Sequence, residues 1–407
     1  MPRVLIAGAG PGGAALAFLL SRRGIDVTLL ERHTDFAREF RGELLLPGGL
    51  EILQQMGLWD SYEAVPQVEL RSIAAFVNGR QRVRVEFDPS VMGDIAPRWI
   101  SQAHFLEMLV AKAAAHPSFS LERGMTVRDL LREDGRVVGL RCVGPDGEHD
   151  IRADLVIGAD GRSSVVRRRA GLTVHEDPAP MDIVWFKVPR PAFLENDPHL
   201  RAYVGDGHLL LAAPVNEDRL QIAWIIPKGG FGGVRGRGME ACVDAMARHV
   251  SPDLSDHLKK TGAGAMEPFL LSTVSDCASE WTRPGMMVIG DAAHTMSPVG
   301  GQGLNHALRD AAVAANHLVP VLTSAGPLDG GAVDAATFAA EQERTPEIST
   351  IQRLQALPPR ILFSQRSAAG IVMGIGAFFV NHGWTPPLAG RIMRQFFFGV
   401  DEVRLRV

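Results

Sequence analysis

Three stretches of the chain set glycines and an acid at the end of a short apolar run, a combination suited to gripping an anionic, flat ligand with the backbone. The first is Gly8-Ala9-Gly10-Pro11-Gly12-Gly13. Glycines at its first, third and sixth positions permit a tight turn, close approach of a pyrophosphate and close helix–strand packing. The helix that follows offers N–H groups and the positive end of its dipole. Glu31 lies 18 residues beyond Gly13, where an acid ending the next strand would hold a ribose hydroxyl pair and disfavour a 2′-phosphate. The second stretch runs from Asp154 to Arg167. There Leu155-Val156-Ile157-Gly158 delivers Asp160 and Gly161 into a turn that starts a basic helix. Asp160 is either a ligand contact or an ordinary helix cap. The third runs from Gly290-Asp291 through Pro298, Gly300, Gly301 and Gly303 to Asn305. Its glycines let amides come against a flat or anionic group, and its helix dipole favours negative charge. A lone phosphate or a second negative centre of the same ligand would suit it. His294 in this loop is an acid–base candidate, with a structural role the expectation.

These stretches need strands and helices to carry them. Val4-Leu5-Ile6-Ala7, Leu155 to Gly158 and Met286 to Ile289 are short apolar runs, the mark of strands buried on both faces, and Asp26 to Leu30 reads as a further strand. Helices are expected over Ala14–Leu20, through Leu50, Leu53 and Met56, over Gln102–Ala115 and from about Gly303 to Val319. Between Leu121 and Val143 the pattern turns hairpin-like around Asp134-Gly135 and Asp146-Gly147. From Met181 to Pro227 several strand-like runs form a separate β-rich layer. Gly229 to Gly233, with Arg235 and Arg237 behind it, is expected as a mobile surface loop rather than an RNA-binding arginine–glycine tract. Ser324 to Asp334 is expected as a helix–helix connection.

Composition narrows the class. The chain has 407 residues, 46% hydrophobic and 22% charged, with a formal net charge of −4. That balance excludes a disordered chain and a general attraction to nucleic acid or anionic lipid. Three cysteines, Cys142, Cys242 and Cys277, form no metal-type pair and suit a reducing cytoplasm. No metal site is expected. The first strand begins at once, so no leader peptide is expected, and no apolar run reaches the roughly 18 residues of a membrane span. The longest, Ala368 to Val380, is too short.

Taken in order, the three segments resemble the para-hydroxybenzoate-hydroxylase-like, class A FAD-dependent monooxygenases. The resemblance spans most of the first 320 residues. It implies a Rossmann-like FAD-binding domain of the glutathione-reductase type, interleaved with a β-sheet substrate domain and followed by C-terminal helices. The expected boundaries are 1–70, 96–172 and 276–345 for the FAD-binding part, 71–95 and 173–275 for the substrate part, and 346–407 for the helical extension. It further implies that Gly8, Gly10, Pro11, Gly12 and Gly13 cradle the FAD pyrophosphate, with Glu31 and Arg32 at the adenosine ribose. Arg41 would lie near the pyrophosphate, Gln102 near the flavin and Val127 near adenine. Asp160 and Arg167 match a segment linked to FAD and the nicotinamide. Asp291 would reach the ribityl or pyrophosphate side. Pro298 would lie beside the reactive flavin carbon, while Gly300, Gly303, Leu304 and Asn305 face the pyrimidine edge. Pro298 and Arg41 are the positions expected to bear on catalysis.

The implied chemistry is hydride transfer from NADPH or NADH, a transient co-substrate, to tightly but non-covalently bound FAD. Capture of O₂ as a flavin C4a-hydroperoxide and oxygen transfer to the substrate would follow. Only two tyrosines, Tyr62 and Tyr203, are present, and the run Leu209 to Pro214 carries no Arg or Ser. The paired phenols and carboxylate clamp that the resemblance implies for a small hydroxybenzoate are thus not matched, and a more apolar aromatic substrate is expected. Trp185, Phe186, His208, Leu210, Trp224 and Phe269 are candidate lining residues, each equally well explained as sheet core. The hydrophobic segment Ile361 to Phe398 is expected to be packed on the body, with contact to a lipophilic substrate, a membrane surface or another subunit left open. The expected enzyme is cytoplasmic, a monomer or homodimer. Three rivals remain: a reductase or dehydrogenase of a lipophilic substrate, a flavin-dependent halogenase, and a flavin-binding partner without catalysis. Against the halogenase, no lysine precedes Lys112 and Ile222 to Pro227 matches only half of its Trp-x-Trp-x-Ile-Pro signature.

Overall fold

The computed structural model describes residues 2–37, 42–87, 95–177, 180–195, 197–205, 208–216, 218–364 and 387–407. Arg41 and the run Ala368 to Val380 lie outside them. Among the described residues no helix is long and apolar enough to cross a membrane.

The strand Arg3–Ala7 sits at the centre of a six-stranded sheet. Leu155–Gly158 and then Met286–Val288 lie on one side, Asp26–Glu31 and then Phe119–Arg123 on the other, all parallel. Thr282–Arg283 adds a short antiparallel edge. Alternation along these strands sorts the side chains to two cores. Val4, Ile6, Leu155 and Ile157 meet the helices Pro11–Ser21, Gln102–Ala114 and Gln302–Leu322. Leu5, Ala7, Val156 and Val288 instead meet a three-stranded antiparallel meander, Thr126–Glu133, Arg136–Gly144 and Gly147–Arg152. The meander's first turn is Asp134-Gly135, with φ of +48° and +80°, the conformation that favours Asp-Gly in tight hairpins. This is the α/β, Rossmann-like arrangement expected from the sequence.

A second sheet has seven strands in the order Phe269–Ser272, Met181–Pro189, Arg219–Pro227, His208–Val215, His199–Gly205, Ser72–Val77 and Arg80–Glu86. Only the pair His199–Gly205 and Ser72–Val77 is parallel. One face, including Val184, Phe186, Leu210, Ile222 and Trp224, packs on the helices Gly230–Arg235, Met239–Ala247 and Pro252–Thr261. The other face looks toward the first sheet. The glycine-rich stretch expected as a surface loop is thus corrected: Gly230–Arg235 is helical. Phe231 is buried beside Cys242 and Met246, and burying that ring outweighs the poor helix propensity of the surrounding glycines.

The link after Leu322 is shorter than expected, because the next helix, Gly330–Ser364, already begins at Gly330 and passes residue 345 without a break. Pro387–Phe398 packs on the helix Pro47–Gln55, and Arg309 donates from its guanidinium to the Phe398 carbonyl at 3.1 Å. Beneath them lies a buried ionic network. Asp310 accepts from the Gly290 amide at 2.9 Å, from His294 Nε2 at 2.6 Å and from Arg344 Nε at 2.7 Å. Arg344 also pairs with Glu347, which pairs with Arg309 at 2.7 Å. Two carboxylates face two guanidiniums, so no charge is buried unpaired. His294 is thus buried in this network through its bond to Asp310.

Burial tends to raise both carboxyls. His294 and Arg344 outweigh it at Asp310 and hold that group low, while Arg344 and Arg309 hold Glu347 at about 2. His306 accepts from Arg344 at 3.1 Å. Burial first, and Arg344 second, push its pKa down to about 3 from 6.5. An unfolded chain takes up that proton as pH falls through 6.5 while the folded chain refuses it, so acidification destabilises the fold from there down to about 3. Glu347 works in the same direction lower down, its contribution intact above 4.5 and lost toward about 2. Thermal melts should show Tm falling from about pH 7 to pH 4, and His306→Gln should flatten the upper part of that slope. A variant with the wild-type slope would contradict the assignment.

Candidate functional site

The first glycine segment is packed as tightly as backbone allows on its protein side. Gly8 adopts φ +101°, and a Cβ there would lie 2.4 Å from the Ala159 carbonyl oxygen. A Cβ on Gly13 would lie 2.1 Å from the Gly8 oxygen, and one on Gly12 would lie 3.2 Å from the Ala307 oxygen. Gly10 differs, since a Cβ there meets nothing nearer than 4.0 Å. The turn is closed toward the protein and open toward the cleft, which fits a backbone cradle for a phosphate chain. Pro11 occupies the first helical position of Pro11–Ser21, where its missing N–H costs nothing. Glu31 ends its strand buried, accepting from the Ala9 amide at 3.0 Å and the His33 amide at 3.1 Å. The acid therefore shapes the glycine turn. Arg32 donates to the His33 ring at 3.0 Å.

The second segment joins the first through the Ala159 amide, which donates to the Ala7 carbonyl at 2.8 Å. Asp160 accepts from the Val165 amide at 2.7 Å, the Val166 amide at 3.2 Å and the Ser164 hydroxyl at 2.5 Å. Burial pushes its pKa up, against the opposing pull of those donors. Asp160 thus satisfies amides at the start of the short helix Val165–Arg169, whose N-cap is Ser164, and it also lines the cleft. Beside it Gly161, at φ +79°, has open space where a side chain would be. Arg167 does not reach the cleft. It is buried and donates to the carbonyls of Ala292 at 2.9 Å and Arg162 at 2.8 Å.

The third segment is clamped from behind. Gly290 is tied to Asp310, and Gln355 donates to the carbonyls of Ser297 and Val299 at 2.7 Å each. Asp291 meets Arg162 of the second segment at 3.3 Å. Gly300 and Gly301 take φ of +75° and +64°, and Gly301 begins the helix Gln302–Leu322. A side chain at Gly300 would strike the ring of Phe396 from the C-terminal helix at 1.9 Å. Asn305 is consumed internally. It accepts from the Leu46 amide at 2.9 Å and donates to the carbonyls of Leu44 and Gly301 at 3.0 and 2.8 Å. That pins the chain before Pro47–Gln55 to the start of Gln302–Leu322.

All three segments line one cleft of about 530 Å³. Gly8, Gly10, Pro11, Gly12, Glu31, Arg32, Gln102, Val127, Asp160, Asp291, Pro298, Gly300, Gly303 and Leu304 are on its wall, together with the inward face of the seven-stranded sheet. Gly13 stands behind the turn, while Arg167 and Asn305 act as ties. Of the lining candidates on the sheet, Trp185 and Phe269 face the cleft. Phe186, Leu210 and Trp224 face the opposite side in the helix-covered core, where His208 stacks on Trp224 with 5.6 Å between ring centres. Register explains the division. Leu210 pairs with Trp224, while Leu211 pairs with Ala223, and each step along a strand changes face. Sequence reasoning missed, among others, Leu211, Ala213, Gln221, Ala223 and Leu271 on this sheet, and Trp99 on the strand Arg98–Ser101 of a separate three-stranded sheet. For those on the seven-stranded sheet the signal was parity with Trp185, which pairs with Ala223 and Phe269.

Comparisons with known proteins agree with this geometry. Residues 1–347 match the family model described as the FAD binding domain. Over 406 residues the chain is 30% identical to 6-methylpretetramide 4-monooxygenase of Streptomyces rimosus, covering 99% of this chain and 94% of that protein. It is 28% identical over 323 residues to squalene epoxidase 1 of Arabidopsis thaliana, covering 78% of this chain and 59% of the relative. The crystal structure of p-nitrophenol 4-monooxygenase PnpA from Pseudomonas putida superposes with a TM-score of 0.78 at 19% identity, over 99% of this chain and 100% of that one, a likeness of fold alone. Three ordered segments on one cleft and a family match of this length together show that the chain belongs to the FAD-binding-domain family, as an FAD-dependent monooxygenase of the class A, para-hydroxybenzoate-hydroxylase-like group.

Proposed function

We propose that this enzyme hydroxylates an apolar aromatic or polycyclic substrate, using NADPH or NADH and O₂, with FAD held tightly and without a covalent link. The observation that carries the proposal is the continuity of the cleft: a glycine-cradled end opens into a chamber walled by Trp185, Leu211, Ala213, Ala223 and Leu271. The relatives, one named as a 6-methylpretetramide monooxygenase and one as a squalene epoxidase, support oxygen transfer. The second name favours one alternative, epoxidation of a double bond in the same chamber.

Bound FAD supplies the redox chemistry, accepting hydride and activating O₂; the chain supplies position, charge and dryness. Gly8 to Gly13 would hold the pyrophosphate against the first turn of Pro11–Ser21, with Glu31 and Arg32 at the ribose and Val127 at the adenine. Arg41 belongs to the same proposal as a pyrophosphate contact. Gln102, Asp291, Pro298, Gly300, Gly303 and Leu304 would hold the flavin end. The helix Gln302–Leu322 points its N-terminus into the cleft, where its dipole stabilises negative charge on a reduced ring. Pro298 adds a rigid wall with no N–H of its own, and the apolar sheet face keeps water from the reacting centre. We assign Arg167 and Asn305 to holding these segments in place rather than to ligand contact. The division of labour follows the two sheets, with residues 1–70, 96–172 and 276–345 serving the flavin and 71–95 and 173–275 the substrate. The three free cysteines support a cytoplasmic setting.

Gly13→Val should purify with little or no flavin, because the added branches collide with the Gly8 carbonyl, while Asp291→Ala should bind FAD more weakly. Visible absorbance of the purified variants measures both, and two fully yellow proteins would remove the site assignment. Pro298→Ala should keep its flavin but release several times more H₂O₂ per nicotinamide oxidised. With a panel of phenols and polycyclic aromatics, the wild type should show substrate-stimulated nicotinamide oxidation that consumes O₂ and yields an oxygenated product. Nicotinamide oxidation without O₂ uptake would identify a reductase instead.

A further inference from the structure

Among the described residues of the seven-stranded sheet that line the cleft, Gln221 alone carries a polar side chain. Gln221 lies on the inward face of the seven-stranded sheet, 2% exposed, and lines the cleft. Neither its amide nitrogen nor its carbonyl oxygen has a hydrogen-bond partner among the described residues. Its cross-strand neighbour is Ala213, which packs in one cluster with Trp99. Trp99 is 8% exposed, also lines the cleft, and its indole N–H is likewise without a partner. Two buried polar side chains therefore line the same cleft, linked through Ala213, with two kinds of donor and one acceptor between them.

Buried polar groups are costly unless something bonds to them. Gln221 has no second job to explain its presence: it caps no helix, joins no salt bridge and ties down no loop. Its strand neighbours on the same face, Ala223 and Ala213 across from it, are apolar, as a wall meant only to exclude water would be throughout. A carboxamide in that wall can accept from a hydroxyl through its oxygen and donate to a carbonyl through its nitrogen, while the Trp99 N–H adds a second donor.

We propose that Gln221 and Trp99 form a polar subsite that orients the substrate. The ligand class it selects is an apolar ring system bearing a hydroxyl beside a carbonyl oxygen. This rests on the monooxygenase reading and refines it. Recognising one polar edge fixes which ring carbon is presented to the flavin, so the subsite sets regiochemistry as well as affinity.

Two probes of nearly equal size separate the possibilities: quinizarin, whose hydroxyls lie beside its carbonyls, and anthraquinone, which has the carbonyls alone. Equilibrium dialysis against the purified, FAD-loaded protein should show quinizarin bound at least about tenfold more tightly by the wild type. Gln221→Met keeps the side chain's length and removes both hydrogen-bonding atoms. It should erase most of that preference by weakening quinizarin far more than anthraquinone, which loses only the amide donor to its carbonyl, and it should leave flavin content unchanged. Trp99→Phe should weaken quinizarin severalfold on the same readout. A wild type that binds the two probes equally, or neither, would overturn the subsite, as would a Gln221→Met protein that keeps the preference. Flavin content and O₂ uptake of the wild type test the monooxygenase reading separately, so the two ideas can fail independently.

Discussion

Everything in this protein depends on one crossing of backbone against backbone. The turn after the first strand passes so close to Ala159 that only a glycine fits at Gly8, and the helix that follows sits so close to Gly8 that only a glycine fits at Gly13. Because two distant parts of the chain meet there without side chains between them, the first and second segments share one wall. The carboxylate of Glu31 then fixes the turn by accepting from Ala9. At Gly10 and Gly161 the same economy of atoms faces the open cleft, which is where a ligand's phosphates can be touched by amides alone.

The third segment reaches that wall by strand pairing, Met286–Val288 lying beside Leu155–Gly158, and buried charges then fix its loop from behind. Asp310 collects the Gly290 amide, His294 and Arg344, and through Glu347 and Arg309 the network reaches the carbonyl of Phe398. The loop from Gly290 to Gly303 and the C-terminal helix are therefore held by one balanced set of buried ions. Removing a member would strand its partner in a medium that cannot solvate it. Such a network costs desolvation, and what it provides here is a fixed position for Gly290 to Gly303 relative to the first two segments.

Much of this was legible in the sequence, for identifiable reasons. Continuous apolar runs ending in glycine mark parallel strands because both faces are covered, and Asp134-Gly135 marks a hairpin because both residues must take positive φ. Motif order carried the family. Other parts were hidden because they depend on partners far away in the chain. The sequence could not say that Arg344 would find Asp310, that Arg167 would turn from the cleft to the carbonyls of Ala292 and Arg162, or that Asn305 would spend its whole amide on backbone. Whether Trp224 and Leu210 lined the cleft or the sheet core stayed open because face assignment in a strand changes with every residue, and one aromatic gives no absolute parity. Phe231 turned an apparent glycine loop into a helix through burial that no local pattern announces.

The central claim is that these separated segments form one continuous FAD cradle opening on an apolar chamber. A crystal structure of the protein with FAD tests it most directly. The account predicts the pyrophosphate against Gly8 to Gly13, the adenosine beside Glu31 and Val127, and the flavin ring between Pro298 and Leu304 with one face toward Trp185. A folded protein that takes up no FAD, or a flavin ring lodged away from the Gly290 to Leu304 loop, would contradict it.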